Sequence, residues 1–428
     1  SRWRAALTVS GAKVAAMAIA LILSVAIARL LGPSGRGEFI LVTTAVALGA
    51  QILNFGVSSA LALEFARNPN IIPKMLCRCW FATGALAAAL AAIGLAVSGT
   101  TSGIVRSLGS WWPALSLWIP LQLLGFYQVA AATALGRVAG LSAIELGGRS
   151  LATAAGLIAL WRFGDRVPPL VGGLVAAELA TAISTFTWLR ASARSATPHG
   201  PVSLPSVSSL VPVALRAYPL LLLPFALVRA DLLIVSGVRG AAEAGIYSIA
   251  AQIVDLLLVV PSTVAALALP EIVRSKSPQR TVRRLALEIS VLCALLALAT
   301  GIWAPRVIDV VFGRAFSDAA GPLRLLLPGY VLLAAEIGLA QYFAVNGYPL
   351  SVAVVWLSSV VVNIVLNAYA VPRFGASGAA VTSTLTYALV AVGVLYLLNR
   401  DRAQREHEPP YPAMRRIPLP LPVHGDES

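Results

Sequence analysis

SVAVVWLSSVVVNIVLNAYAV, residues 351–371, decides the fold: 21 consecutive residues carry no charge. A helix rises about 1.5 Å per residue, so such a run covers a hydrocarbon core of about 30 Å. In lipid every backbone N–H and C=O must be paired within its own element, so the run reads as a transmembrane helix. Blocks of the same kind recur along the chain. They predict spans at 9–31, 38–66, 80–98, 111–135, 140–161, 168–189, 218–238, 244–270, 285–304, 325–345, 349–371 and 377–398. Turn chemistry separates them, as in Gly32-Pro33-Ser34-Gly35, Asn68-Pro69-Asn70 and Asn346-Gly347-Tyr348-Pro349. The first block is long enough to remain a span and does not read as a cleaved leader.

Composition agrees. Hydrophobic residues make up 58% of the 428 and charged residues 12%, and the mean hydropathy is +0.83. Soluble domains carry about 25% charged residues. Weak alternation argues against a membrane β-barrel. The three cysteines (Cys77, Cys79, Cys293) have neither metal spacing nor the number for a disulfide framework. All three histidines (His199, His407, His424) fall in loops or the tail, which disfavours a histidine proton relay within the membrane. No metal, cofactor or nucleic-acid partner is expected.

The net charge of +14 matters by its placement. With twelve spans, 19 Lys/Arg fall on the side of the termini, 9 (Arg36 among them) on the other, and 4 (Lys13, Arg29, Arg149, Arg229) within spans, which accounts for all 32. The positive-inside rule then puts both termini of a multi-pass membrane protein in the cytoplasm. The Ser/Pro-rich segment 190–217 divides the chain. The expected organisation is a six-helix bundle over 1–195, a cytoplasmic linker over 196–210, a second six-helix bundle over 211–400 and a disordered, Pro/Arg-rich tail over 401–428.

The two halves repeat each other. Span 2 opens with Gly37-Glu38-Phe39 and closes with Leu61-Ala62-Leu63-Glu64-Phe65-Ala66-Arg67; span 8 opens with Gly245-Ile246-Tyr247 and closes with Leu267-Ala268-Leu269-Pro270-Glu271-Ile272-Val273-Arg274. Six spans per half leave the halves in one orientation, related by an axis along the membrane normal, as in transporters built from parallel repeats. The fold expected is therefore all-α and integral to the membrane, with about 12 transmembrane helices in two pseudo-symmetric six-helix bundles.

Three stretches carry a family resemblance. Leu31-Gly32-Pro33-Ser34-Gly35-Arg36-Gly37-Glu38-Phe39 lies after span 1. Asp231 is followed by Ala244-Gly245-Ile246-Tyr247-Ser248-Ile249-Ala250. Asn363-Ile364-Val365-Leu366-Asn367 precedes Val371-Pro372-Arg373-Phe374-Gly375-Ala376-Ser377-Gly378-Ala379-Ala380. Together they resemble the Wzx-type polysaccharide flippases of the multidrug/oligosaccharidyl-lipid/polysaccharide exporter superfamily. The resemblance implies a protein that moves a polyprenyl-pyrophosphate-linked oligosaccharide across the cytoplasmic membrane by alternating access. It implies membrane lipids and the glycolipid as partners, H+ or Na+ as coupling ion, and a monomer in contact with polysaccharide-assembly proteins. The superfamily also holds drug exporters and lipid II flippases. The latter usually carry two further spans, for which this chain has no room.

Charges within apolar spans are the candidate site residues, because a charge at a span centre costs roughly 2.5–3.5 kcal/mol. Arg149 is i,i+4 from Glu145. It either faces a cavity, where its fork suits pyrophosphate oxygens, or locks spans as an ion pair. Arg229, Lys13 and Arg29 are further cavity cations, each with snorkelling as the plain alternative. Asn363 is a sugar-binding candidate, with interhelical glue the commoner role. Asp255, Glu178, Glu336 and Asp231 are candidates for cation coupling, or are acids hydrogen-bonded between helices. Glu64 and Glu271, each three residues before an Arg, read as gate residues or local ion pairs. The pattern of a catalytic motif is missing, so the chain is expected not to be an enzyme. A cation-coupled drug antiporter is the first alternative, and a polymerase or ligase of polysaccharide assembly the second.

Overall fold

A computed structural model describes residues 2–97, 109–164, 166–196, 204–275, 277–346 and 349–407, with the backbone alone described at 2–14 (Lys13 included), 194–196, 207, 346 and 402–407; the tail beyond 407 lies outside the described residues. Among the described residues every regular element is helical. They are α1 (Arg2–Leu53), α2 (Val57–Arg67), α3 (Ile72–Val97), α4 (Trp112–Ala134), α5 (Val138–Phe163), α6 (Val167–Ala196), α7 (Val207–Arg239), α8 (Ala241–Leu257), α9 (Val259–Arg274), α10 (Pro278–Val311), α11 (Ala320–Asn346) and α12 (Leu350–His407), with 3-10 turns at Pro69–Ile71 and Arg314–Ala319. Among the described residues ten continuous helical stretches are long and apolar enough to cross a membrane.

Two of those stretches, Ala15–Leu53 (39 residues) and Leu350–Asp401 (52 residues), exceed one crossing. At about 1.5 Å per residue the second is more than twice the hydrocarbon thickness. Each is interrupted where a glycine takes a non-helical, positive-φ conformation: Gly32 (φ 63°, ψ −171°) in α1 and Gly375 (φ 57°, ψ −135°) in α12. An L side chain resists that backbone, which is why the break falls at glycine. The flanking prolines, Pro33 and Pro372, weaken the helix at the same places.

Several expected boundaries shift. Span 2 is two pieces, broken at Phe55 (φ 43°) and Gly56 (φ 74°). There the Asn54 side chain accepts from the Ser58 N–H (3.1 Å), one of the free donors in the first turn of α2. Span 8, its repeat partner, is also two pieces, α8 and α9, joined at Leu258. The expected outer loop 305–324 is mostly helix: α10 runs to Val311 and Arg314–Ala319 is a 3-10 turn. α7 begins at Val207, inside the expected linker, and tolerates Pro212, Pro219 and Pro224.

Apolar packing falls into three clusters. One joins Leu227 through Leu398 and takes in Ala28 of α1; the other two lie within residues 23–193. The outer faces stay apolar, with Trp161 84% and Phe81 80% exposed. A surface of this kind is covered by lipid rather than water.

Candidate functional site

The two glycine breaks lie at the same end of the molecule, against the start of α8. A Cβ at Gly37 would lie 1.7 Å from the Ala241 carbonyl oxygen, and one at Gly245 would lie 2.0 Å from the Pro33 carbonyl oxygen. The repeat-related glycines therefore meet each other, where α1 crosses the start of α8. Only glycine permits so close a backbone approach. Glu243 braces the same end: its Oε2 accepts from Arg239 Nε (2.8 Å), and its Oε1 accepts from the Ala376 N–H (2.7 Å), the first free donor after the Gly375 break.

Arg36 fills the seam. The charge balance put it in an outer loop; it is instead 2% exposed and helical. Its Nε donates to Ser248 Oγ (2.8 Å), Nη1 to Ser24 O (2.9 Å) and Oγ (3.0 Å), and Nη2 to Gln252 Oε1 (2.7 Å). The guanidinium lies 5.7 Å from the Phe312 ring centre. Ser24 Oγ also donates to Gln252 Oε1 (2.7 Å). Sequence reasoning named Arg36 and Ser248 within its motifs but made none of Arg36, Ser24, Ser248 and Gln252 a site residue. The available signal was the i,i+4 spacing of Ser248 and Gln252 on α8, one polar stripe facing the arginine.

Next to the seam, a buried polar network joins α7, α8 and both limbs of α12. Asp231 is 2% exposed. It accepts from the Tyr247 hydroxyl, from Ser383 Oγ (3.1 Å) and from the Leu232 N–H (2.7 Å). Asn367 Nδ2 donates to Asn363 Oδ1 (2.9 Å), Asn363 Nδ2 to Thr386 Oγ1 (3.1 Å), and Thr382 Oγ1 to Asn367 Oδ1 (2.7 Å). Asn363, expected on a sugar-binding wall, is thus 1% exposed and spent on holding the two limbs together.

A cavity of about 610 Å³ lies farther from the seam, lined by Ser59 of α2, Ala217–Val228 of α7, Leu333–Gln341 of α11 and Trp356 of α12. Glu336 is the acid in this lining and is 5% exposed. Gln341 turns its amide N–H onto the Ile337 carbonyl (3.1 Å), which leaves its oxygen toward other partners. The remaining wall is largely Leu, Ile, Ala, Val and Pro.

The other expected residues are distributed as follows. Arg229 pairs with Asp255 at 2.8 Å, each side chain 30% exposed, so two separate candidates form one ion pair between α7 and α8. Arg149 is exposed on α5, with Glu178 of α6 and Glu145 in electrostatic reach. Arg29 donates to the Val310 and Val311 carbonyls (3.0 Å for the latter), which places a cation on the C-terminus of α10. Glu64 pairs with Arg67 at 3.0 Å, as its spacing suggested. Glu271 instead lies in reach of Arg284. The seam, the network, the Arg229–Asp255 pair and Glu336 draw on α1, α7, α8, α11 and α12; Arg149 and Glu178 stand apart.

Residues 26–321 match the family described as polysaccharide biosynthesis protein. The chain belongs to that family. The match covers Arg36, Ser248 and Gln252 of the seam, Asp231 and the Arg229–Asp255 pair, begins after Ser24 and ends before Glu336 and Asn363. No curated protein matches the sequence. Among solved structures, the lipid II flippase MurJ in an inward closed conformation is similar at 12% identity and a TM-score of 0.70, over 92% of this chain and 87% of that one. A multidrug resistance MATE family transporter of the MOP superfamily is similar at 15% identity in its inward-facing form (TM-score 0.69, 91% and 96%) and its outward-facing form (0.68, 94% and 97%). At such identities the likeness is one of fold, and it does not separate the two conformations. The polysaccharide biosynthesis family member is thus a multi-pass membrane protein of the MOP fold, as the three sequence stretches implied.

Proposed function

We propose that this polysaccharide biosynthesis family member is a flippase, carrying a polyprenyl-pyrophosphate-linked oligosaccharide across the bacterial cytoplasmic membrane by alternating access, with no covalent bond made or broken. The observation that carries the reading is the pairing of a closed, glycine-faced seam with a cavity at its far side, in a chain of a polysaccharide family. A carrier needs one end shut while a cavity persists elsewhere. The cavity volume is of the order that a small ligand fills, so it would hold part of a lipid-linked sugar.

The same reading divides the chain into two six-helix halves over 1–195 and 211–400, with twelve crossings once α1 and α12 are split at Gly32 and Gly375. Both termini would then be cytoplasmic. The meeting of Gly37 with Gly245 supports a repeat axis at the seam, because symmetry-related residues meet on their axis. The protein would act as a monomer in contact with assembly proteins. Asp231 is the residue we assign to coupling with H+ or Na+, since its oxygens collect donors from two helices inside the fold. Asp255 has Arg229 as its partner and is the weaker choice.

A drug antiporter on the same fold is the second reading, and Glu336 in its apolar cavity favours it, as an acid there suits an organic cation. A leaflet-translocation assay in vesicles separates the two. Purified protein should move a labelled polyprenyl-pyrophosphate oligosaccharide. Export of small cationic drugs with the glycolipid left in place would refute the flippase.

A further inference from the structure

Arg36 is a buried cation whose partners are all neutral. Ion pairs elsewhere in the described residues include Glu64–Arg67, Arg229–Asp255, Arg239–Glu243 and Arg284–Glu288, whereas the hydrogen-bond partners of Arg36 are two serines and a glutamine. Taking a guanidinium out of water without a counter-anion is unfavourable, and neutral acceptors offset that only in part. Those acceptors are divided across the seam: Ser24 is on the first limb of α1, Ser248 and Gln252 on α8. The polar ties over this seam run through Arg36 and through Ser24–Gln252. Beside them the backbones touch at Gly37 and Gly245.

We propose that this seam is a gate, that it opens between α1 and α8, and that opening turns Arg36 from a buried tie into the anion-binding group of the opened passage, with a pyrophosphate ester as ligand. The inference rests on the flippase reading and adds to it the residue that meets the substrate's pyrophosphate at this end. A guanidinium fork matches phosphate oxygens two at a time. Separation of the helices frees the hydroxyls of Ser24 and Ser248 to donate to the same group. With no carboxylate bound to Arg36, nothing must be displaced but neutral oxygens. A ligand that reaches Arg36 only in the opened form shifts the population toward that form.

Ala28 reports on the gate, because it is 1% exposed and packs in the cluster formed by the helices beyond the seam. In the full chain with Cys77, Cys79 and Cys293 changed to Ala, Ala28→Cys should react slowly with a membrane-impermeant thiol reagent. Arg36→Gln should raise that rate roughly tenfold, the worth of one or two net hydrogen bonds. Farnesyl pyrophosphate should raise the rate when Arg36 is present and not in Arg36→Gln; farnesol should do nothing in either. Gly245→Ala, which wedges the seam and keeps Arg36, should raise the rate and retain the response to farnesyl pyrophosphate. It also carries the test if Arg36→Gln does not purify as a monodisperse protein. An unchanged rate in Arg36→Gln, a pyrophosphate response that survives without Arg36, a folded Gly245→Ala that ignores farnesyl pyrophosphate, or an equal effect of farnesol would each overturn the proposal. Labelling needs no translocation. A responsive gate in a protein that moves no glycolipid would therefore sink the flippase reading alone, and an inert gate in an active flippase would sink this one alone.

Discussion

Arg36 and Arg149 are both arginines in apolar helices, yet they occupy opposite kinds of surroundings. Arg36 is buried among neutral oxygens at a seam of touching backbones. Arg149 is exposed on α5, with Glu145 and Glu178 in reach. The difference teaches that an intramembrane charge is not one phenomenon. At the seam the charge is held by geometry that only the assembled fold supplies. On α5–α6 the charge meets acids supplied partly by its own helix, which local spacing can arrange without the rest of the fold.

The contrast can be broken or sharpened by substitution. The largest effect should come from Gly37→Leu. Its Cβ already overlaps the Ala241 carbonyl oxygen, and the rest of the leucine side chain adds bulk beyond the single methyl of Gly245→Ala that a parted seam can absorb, so the variant should lose the folded protein on extraction, as read by fluorescence-detected size exclusion. Asp231→Ala comes next. It strands the Tyr247 and Ser383 hydroxyls. At roughly 1 kcal/mol for each buried orphan, it should lower stability by about 2 kcal/mol and abolish transport. Asp231→Asn, of the same shape, separates the two roles: a coupling residue loses ion-dependent transport while thermal stability is largely kept, whereas a purely structural one keeps both.

Arg229→Ala and Asp255→Ala test an intermediate case. Their pair is partly exposed, so a double-mutant cycle on stability should give a coupling below about 1 kcal/mol. A larger value would mean that the pair behaves like the seam. Arg149→Ala should be smallest, with no measurable loss of stability and normal insertion. Here glycolipid transport decides: its loss makes Arg149 a cavity cation, and its retention leaves the residue a member of a surface ion cluster.

Much of this was legible in the chain. Apolar run length disclosed the membrane helices, because a helix in lipid must satisfy its own backbone. Leu31–Phe39 marked the first glycine break, and Pro372–Gly375 the last. The matching openings Gly37-Glu38-Phe39 and Gly245-Ile246-Tyr247 pointed to a repeat, and those glycines turned out to be in contact. The site was less legible. Asn363 read as a sugar-binding candidate or interhelical glue, and its side chain is part of the tie between the limbs of α12. Arg229 and Asp255 read as two candidates and form one pair. Arg36 read as a loop cation because a turn motif flanks it, and a charge count along a chain records sequence position, not depth.

The sequence by itself determined that this is a helical membrane protein of the polysaccharide biosynthesis family, with charges too rare in its spans to be accidental. Those conclusions rest on local quantities: run length, turn residues and motif order. Tertiary structure alone decided which charges are neutralised, which are buried among neutral partners and which face a cavity. Those facts depend on residues more than two hundred positions apart, as with Arg36 and Gln252, and only packing brings such residues within hydrogen-bond distance.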